Sequence, residues 1–291
     1  MRRFRGSVMF VLGLGLLVSA CVTDSGTNRA RTHGAFLMED GIVTGTYDEF
    51  NAQLAEAIPD PTNINLAIFN HGISHGGQGQ VCDPEDEVPF VFKYLFEQIP
   101  NTVVYSFCSD EIGRGSNAST SEQTFYKRGE EIAELLDTFA EYGVDPKRII
   151  LLGHSGGASA ILSTAARFPE KFNYFVASAP GYGYAWTGRG IHDIHLAPRY
   201  HLWKAHYEKA DRLDGLVLGF GDDTYSPIDE MLFLKEIEGV EFRAFPDANC
   251  RGVDPHAFIY TSCFGSEDRQ WIYDVISDRL SRVGELSSSG S

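Results

Sequence analysis

The stretch Arg148-Ile149-Ile150-Leu151-Leu152-Gly153-His154-Ser155-Gly156-Gly157-Ala158-Ser159-Ala160-Ile161-Leu162 decides the fold. Its first five residues, Arg148 and then four apolar ones, read as a buried strand. The small and apolar residues from Gly156 onward predict a helix that runs to Phe168. Only a few residues separate the two, and they hold one serine between Gly153 and Gly157. A turn this tight brings the flanking backbones together, so side chains at those positions would clash and glycine is required. The pattern predicts that Ser155 takes a strained φ/ψ with its hydroxyl lifted clear of the sheet. The start of a helix also gathers unpaired N–H groups and a positive dipole end beside that hydroxyl. Spacing alone would not single it out. Gly72-Ile73-Ser74-His75-Gly76 has the same Gly-x-Ser-x-Gly spacing, but Gly77-Gln78-Gly79 follows, which is poor material for a helix start.

Outward from this stretch, apolar β-branched runs alternate with helical patterns. Strands are expected at Asn65 to Asn70, Thr102 to Phe107, Arg148 to Leu152, Tyr174 to Ser178, Leu216 to Phe220 and Val240 to Phe245. Helices are expected at Val88 to Gln98, Ser121 to Tyr142, Gly156 to Phe168, His201 to Arg212, Ile228 to Glu238 and about Glu267 to Val283. This order predicts one α/β domain over residues 34–284, with a mostly parallel sheet covered on both faces. Functional loops then belong at the carboxyl ends of the strands. Residues 285–291 read as a disordered tail.

The strand, turn and helix around Ser155 resemble the nucleophile elbow of the α/β-hydrolase superfamily. The resemblance runs from about Asn65 to the last helix. It implies a serine hydrolase whose nucleophile, acid and histidine follow in that order. Five histidines lie after Ser155: His192, His195, His201, His206 and His256. His256 follows the last strand, where the family carries its base; the other four precede the expected acid. The acid is expected where Leu216 to Phe220 ends. Gly219 to Asp222 has the family's Gly-x-x-Asp spacing, so Asp222 is preferred; Asp223 fits the alternative distance to Pro227. Asn70-His71-Gly72-Ile73 resembles the family's oxyanion loop, which implies the amides of Ile73 and Gly156 as donors and a structural role for His71.

The resemblance further implies a carboxylesterase or dienelactone-hydrolase-like enzyme that acts on a small-molecule ester and needs no cofactor. The connection from Ser178 to Leu216 is short for a large lid. Its Pro180-Gly181-Tyr182-Gly183-Tyr184-Ala185-Trp186 run is either one wall of an acyl or sugar cleft or ordinary packing. A prolyl-oligopeptidase-like peptidase, without that group's propeller, is the alternative enzyme. A non-catalytic envelope binding protein with the same fold is the alternative of another class. His192 and His195 lack a third ligand with metal-site spacing, so no metal is expected.

The amino-terminal end carries Arg2, Arg3 and Arg5, then an apolar run from Val8 to Val18 that is too short to span a bilayer. Val18-Ser19-Ala20-Cys21 resembles the lipobox of bacterial lipoproteins. That implies a signal peptide over residues 1–20, acylated Cys21, a tether over residues 21–33, and an envelope membrane anchor. Val22, rather than Asp, after the cysteine implies the outer membrane facing the periplasm. Four further cysteines, Cys82, Cys108, Cys250 and Cys263, make an even set in an exported chain. Of the three pairings, Cys82–Cys108 with Cys250–Cys263 is preferred because each joins neighbouring loops. With 40 acidic and 24 basic residues, the net charge is −16, which excludes a basic surface for nucleic acid.

Overall fold

The structure, a computed structural model, describes residues 34–39, 41–45, 50–72, 84–109, 122–181 and 197–288. The signal segment, the tether, Cys21, Ile73, Cys82, His192, His195 and residues 182–186 of the aromatic run lie outside these. Eight strands form one sheet in the order β2-β1-β4-β3-β5-β6-β7-β8. They are β1 (Gly34–Met38), β2 (Gly41–Gly45), β3 (Asn65–Asn70), β4 (Thr102–Phe107), β5 (Ile149–His154), β6 (Tyr174–Ser178), β7 (Arg212–Phe220) and β8 (Glu238–Phe245). β1 pairs antiparallel with β2 and β4, and the other pairings are parallel. The α/β expectation therefore holds, with an antiparallel edge added. β1 and β2 are five residues each and begin with glycine, which is too little for a period-2 pattern to register.

Every residue of β3, β4, β5 and β6 is buried. Side chains of successive strand residues point to opposite faces. Leu66, Ile68, Ile149 and Leu151 accordingly join one core, and Ala67, Phe69, Ile150 and Leu152 the other. The first core is closed by α1 (Phe50–Ala57), α5 (Glu122–Tyr142), α6 (Gly156–Arg167) and α7 (Ala197–Tyr207). The second is closed by α3 (Phe90–Lys93), α4 (Leu95–Gln98) and α9 (Ser266–Ser288).

Four expectations about helices are corrected, the first being that over His201 to Arg212: α7 starts earlier and ends at Tyr207, and Arg212 opens β7. The helix expected over Val88 to Gln98 is instead α2 (Pro84–Glu87), α3 and α4. Pro89 caps α3 from outside, because its ring cannot sit inside a helix and it biases Val88 toward extended backbone. The helix expected over Ile228 to Glu238 is one turn, α8 (Ile228–Met231), followed by a tighter 3-10 turn over Leu232–Glu236. α9 continues to Ser288, past the expected end near Val283. Gly284 weakens a helix by only about 1 kcal/mol and does not stop it.

Strand order reverses at β3: the chain places β4 on one side of it and β5 on the other. Such a switch point opens a crevice at the carboxyl ends of the two strands. Asn70 and Gly153 are partners there, so the His71-Gly72 loop meets the turn at Ser155.

Candidate active site

Ser155 has φ 53° and ψ −122°, a conformation outside the ordinary wells for a residue with a side chain. Three main-chain bonds fix it. Its N–H donates to Ser178 O at 2.9 Å, and its carbonyl accepts from the N–H groups of Ser159 and Gly181, each at 3.1 Å. The flanking glycines are required sterically. A Cβ on Gly153 would lie 2.8 Å from the amide of Ala158, and one on Gly157 would lie 2.0 Å from Asn70 O. Ser155 is partly exposed at the start of α6, beside the N–H of Gly156. Gly72 packs directly on it: a Cβ at Gly72 would be 3.2 Å from Ser155 Cβ. The amide expected from Ile73 lies outside the described residues.

His256 sits on a 3-10 turn over Pro255–Tyr260, where Asp254 Oδ1 accepts the His256 N–H at 2.9 Å. The structure joins Cys250 to Cys263, the expected pair, at the two ends of this loop. Cys108 is also in a disulfide; its expected partner, Cys82, lies outside the described residues.

The carboxylate against His256 is Asp223, and this corrects the choice of Asp222. Asp223 Oδ2 accepts from His256 Nδ1 at 2.8 Å. Its Oδ1 accepts from the N–H groups of Tyr225 and Ser226 at 2.8 and 3.0 Å. The Asp223 side chain is 0 % exposed. Asp222 is exposed at φ 59°, a left-handed position that Asp tolerates in turns. The reason is local. Gly221 N–H bonds Phe245 O at 2.8 Å, and Gly221 packs so closely on Pro246 that a Cβ would meet its carbonyl oxygen at 1.9 Å. The chain must therefore turn at Asp222, which points outward, and it returns at Asp223 toward the histidine.

Because a carboxylate only accepts, His256 carries its proton on Nδ1 and leaves Nε2 as the acceptor. His154, the residue before Ser155, reaches the same loop: its Nε2 donates to the main-chain oxygen of His256 at 2.8 Å. The His154 ring lies 4.8 Å from that of His256 and 4.9 Å from that of Tyr260, centroid to centroid. Burial, helped by the neighbouring His256, pulls the His154 pKa down to about 3, so His154 stays neutral. Nothing in the sequence singles out His154, because a contact with a residue 102 positions away has no local signature.

Nearby, a cavity of about 390 Å³ opens beside the acid loop, lined by Phe220, Asp222, Ile228, Asp229 and Leu232 among others. Neither Ser155 nor His256 lines it, so it is not the cleft in which those two side chains meet a substrate.

No family model matches this chain, and no curated protein sequence matches it. Solved structures do. Porphyromonas gingivalis dipeptidyl peptidase 4 is 17% identical with a TM-score of 0.51, over 76% of this chain and 31% of that one. DcsB in complex with its substrate analogue is 13% identical with a TM-score of 0.51, over 76% of this chain and 91% of that one. A Mycobacterium tuberculosis puromycin-hydrolyzing peptidase is 15% identical with a TM-score of 0.50, over 75% of this chain and 35% of that one. The chain spans about a third of the length of the two peptidases. At such identities the likeness is one of fold, and the fold is that of the α/β-hydrolases.

Proposed function

We propose that this protein is a serine hydrolase that cleaves carboxylic esters through an acyl-enzyme. The observation that carries the reading is the strained serine at the switch point, with a His256–Asp223 hydrogen bond held at the same end of the sheet. Ser155 attacks the carbonyl carbon while His256 Nε2 takes its proton. Asp223 holds the imidazole in the tautomer that leaves Nε2 free to accept. The amides of Gly156 and Ile73 receive the developing oxyanion. His256 then returns its proton to the leaving alcohol, and water repeats the sequence to release the acid.

Soluble protein lacking residues 1–21 is expected to hydrolyse p-nitrophenyl acetate. Ser155→Ala should lower kcat by about 10⁴-fold or more. Equal rates would reject the reading, and turnover of aminoacyl p-nitroanilides but not esters would favour the peptidase.

The lipobox-like Val18-Ser19-Ala20-Cys21 makes attachment to an envelope membrane through Cys21 part of the same proposal. The full-length protein should fractionate with membranes, and Cys21→Ser should not. Membrane recovery of both forms would sink the anchor.

A further inference from the structure

α5 presents Phe125, Ile132, Leu135, Leu136 and Phe139 to the core, and Arg128 falls on the same stripe. Arg128 is 0 % exposed. Its Nη2 donates to the main-chain oxygen of His71 at 2.6 Å, while Nε and Nη1 have no hydrogen-bond partner among the described residues. A buried guanidinium is expensive unless something uses it. Glu131 and Glu87 lie close enough to favour its charge, and although burial lowers its pKa to about 9, it stays protonated at neutral pH.

The carbonyl that Arg128 holds belongs to the loop packed on the elbow, since a Cβ at Gly157 would lie 2.5 Å from the same His71 oxygen. The next carbonyl is fixed as well. His71 Nδ1 donates to Gly72 O at 2.7 Å. Burial and the Arg128 charge both hold the His71 pKa well below its ordinary value, so the ring is neutral, and an acceptor-only oxygen places its proton on Nδ1. Both carbonyls of the His71-Gly72 loop are therefore fixed where the loop packs on Ser155.

We infer that Arg128 is a positioning residue, holding the His71-Gly72 loop from beneath so that it is seated against the Ser155 elbow before substrate arrives. The inference rests on the acyl-transfer reading, and Ser155→Ala tests that reading separately.

The experiment compares wild type, R128K, R128M, H71F and R128K/H71F on p-nitrophenyl acetate. Amide hydrogen exchange is followed in peptides covering Asn70 to Gly72 and in α9. R128M is expected to lower kcat about 10- to 100-fold with KM changed less than about threefold. R128K, which keeps the charge and a donor, should recover part of that loss. Because both side chains act on one loop, R128K/H71F should be no slower than the slower single variant. Exchange should rise in the loop and not in α9. An unchanged kcat in R128M, or losses that multiply in the double variant, would overturn the inference. If R128M does not fold, R128K, H71F and their combination decide. If the Ser155→Ala control leaves turnover intact, unchanged loop exchange in R128K still overturns it.

Discussion

Asp222 and Asp223 are adjacent and chemically identical, yet they have opposite environments. Asp223 is enclosed and accepts from His256, Tyr225 and Ser226; Asp222 faces water at a left-handed turn. Neutralising Asp223 removes the charge that holds the His256 tautomer. Asp223→Asn should lower kcat by about 10⁴-fold, as expected when an orienting carboxylate loses its charge, while Asp222→Asn should stay within about threefold of wild type. Steady-state kinetics on one ester decide this, and the reverse ranking would return the role to Asp222. Spacing along the sequence could not separate the two, because the deciding contacts are with Pro246 and His256, which arrive from elsewhere.

Among the elements, the segment from Cys250 to Cys263 positions the base. The disulfide closes a loop with a sequence separation of 13, and His256 rides near its centre on the 3-10 turn. Closing such a loop removes freedom mainly from the unfolded chain and stabilises by about 3 kcal/mol. Replacing both cysteines by serine should lose about that much in urea unfolding at neutral pH. A loss under about 0.5 kcal/mol would mean that the packing of Phe258, Ile259 and Phe264 holds the loop by itself.

For the molecule as a whole, buried neutral histidines set how it meets acid. His154 and His71 both have pKa values lowered chiefly by burial. In the unfolded chain each titrates near the ordinary value of about 6.5. Below that value the unfolded chain binds protons that the folded chain refuses, so their contribution to stability is complete above about pH 6.5 and is lost as pH falls below it, for His154 down to about 3. The Tm should therefore drop between about pH 7.5 and pH 5, and His154→Phe should drop less over the same interval. Identical drops by differential scanning calorimetry would remove His154 from the account.

The sequence by itself determined the strands β3, β4 and β6 to the residue, the helix after Ser155, the nucleophile candidate and its two obligatory glycines. These are local properties: a run of buried β-branched residues, or a turn too tight for side chains, is written in neighbouring positions. Arg128 was not singled out in the sequence, because its burial and its bond to the His71 carbonyl depend on how α5 packs. Tertiary structure alone decided which aspartate meets His256, that His154 reaches the His256 carbonyl, and where Arg128 points. Each depends on strands far apart in the chain ending side by side at the same end of the sheet, and no spacing rule records that adjacency.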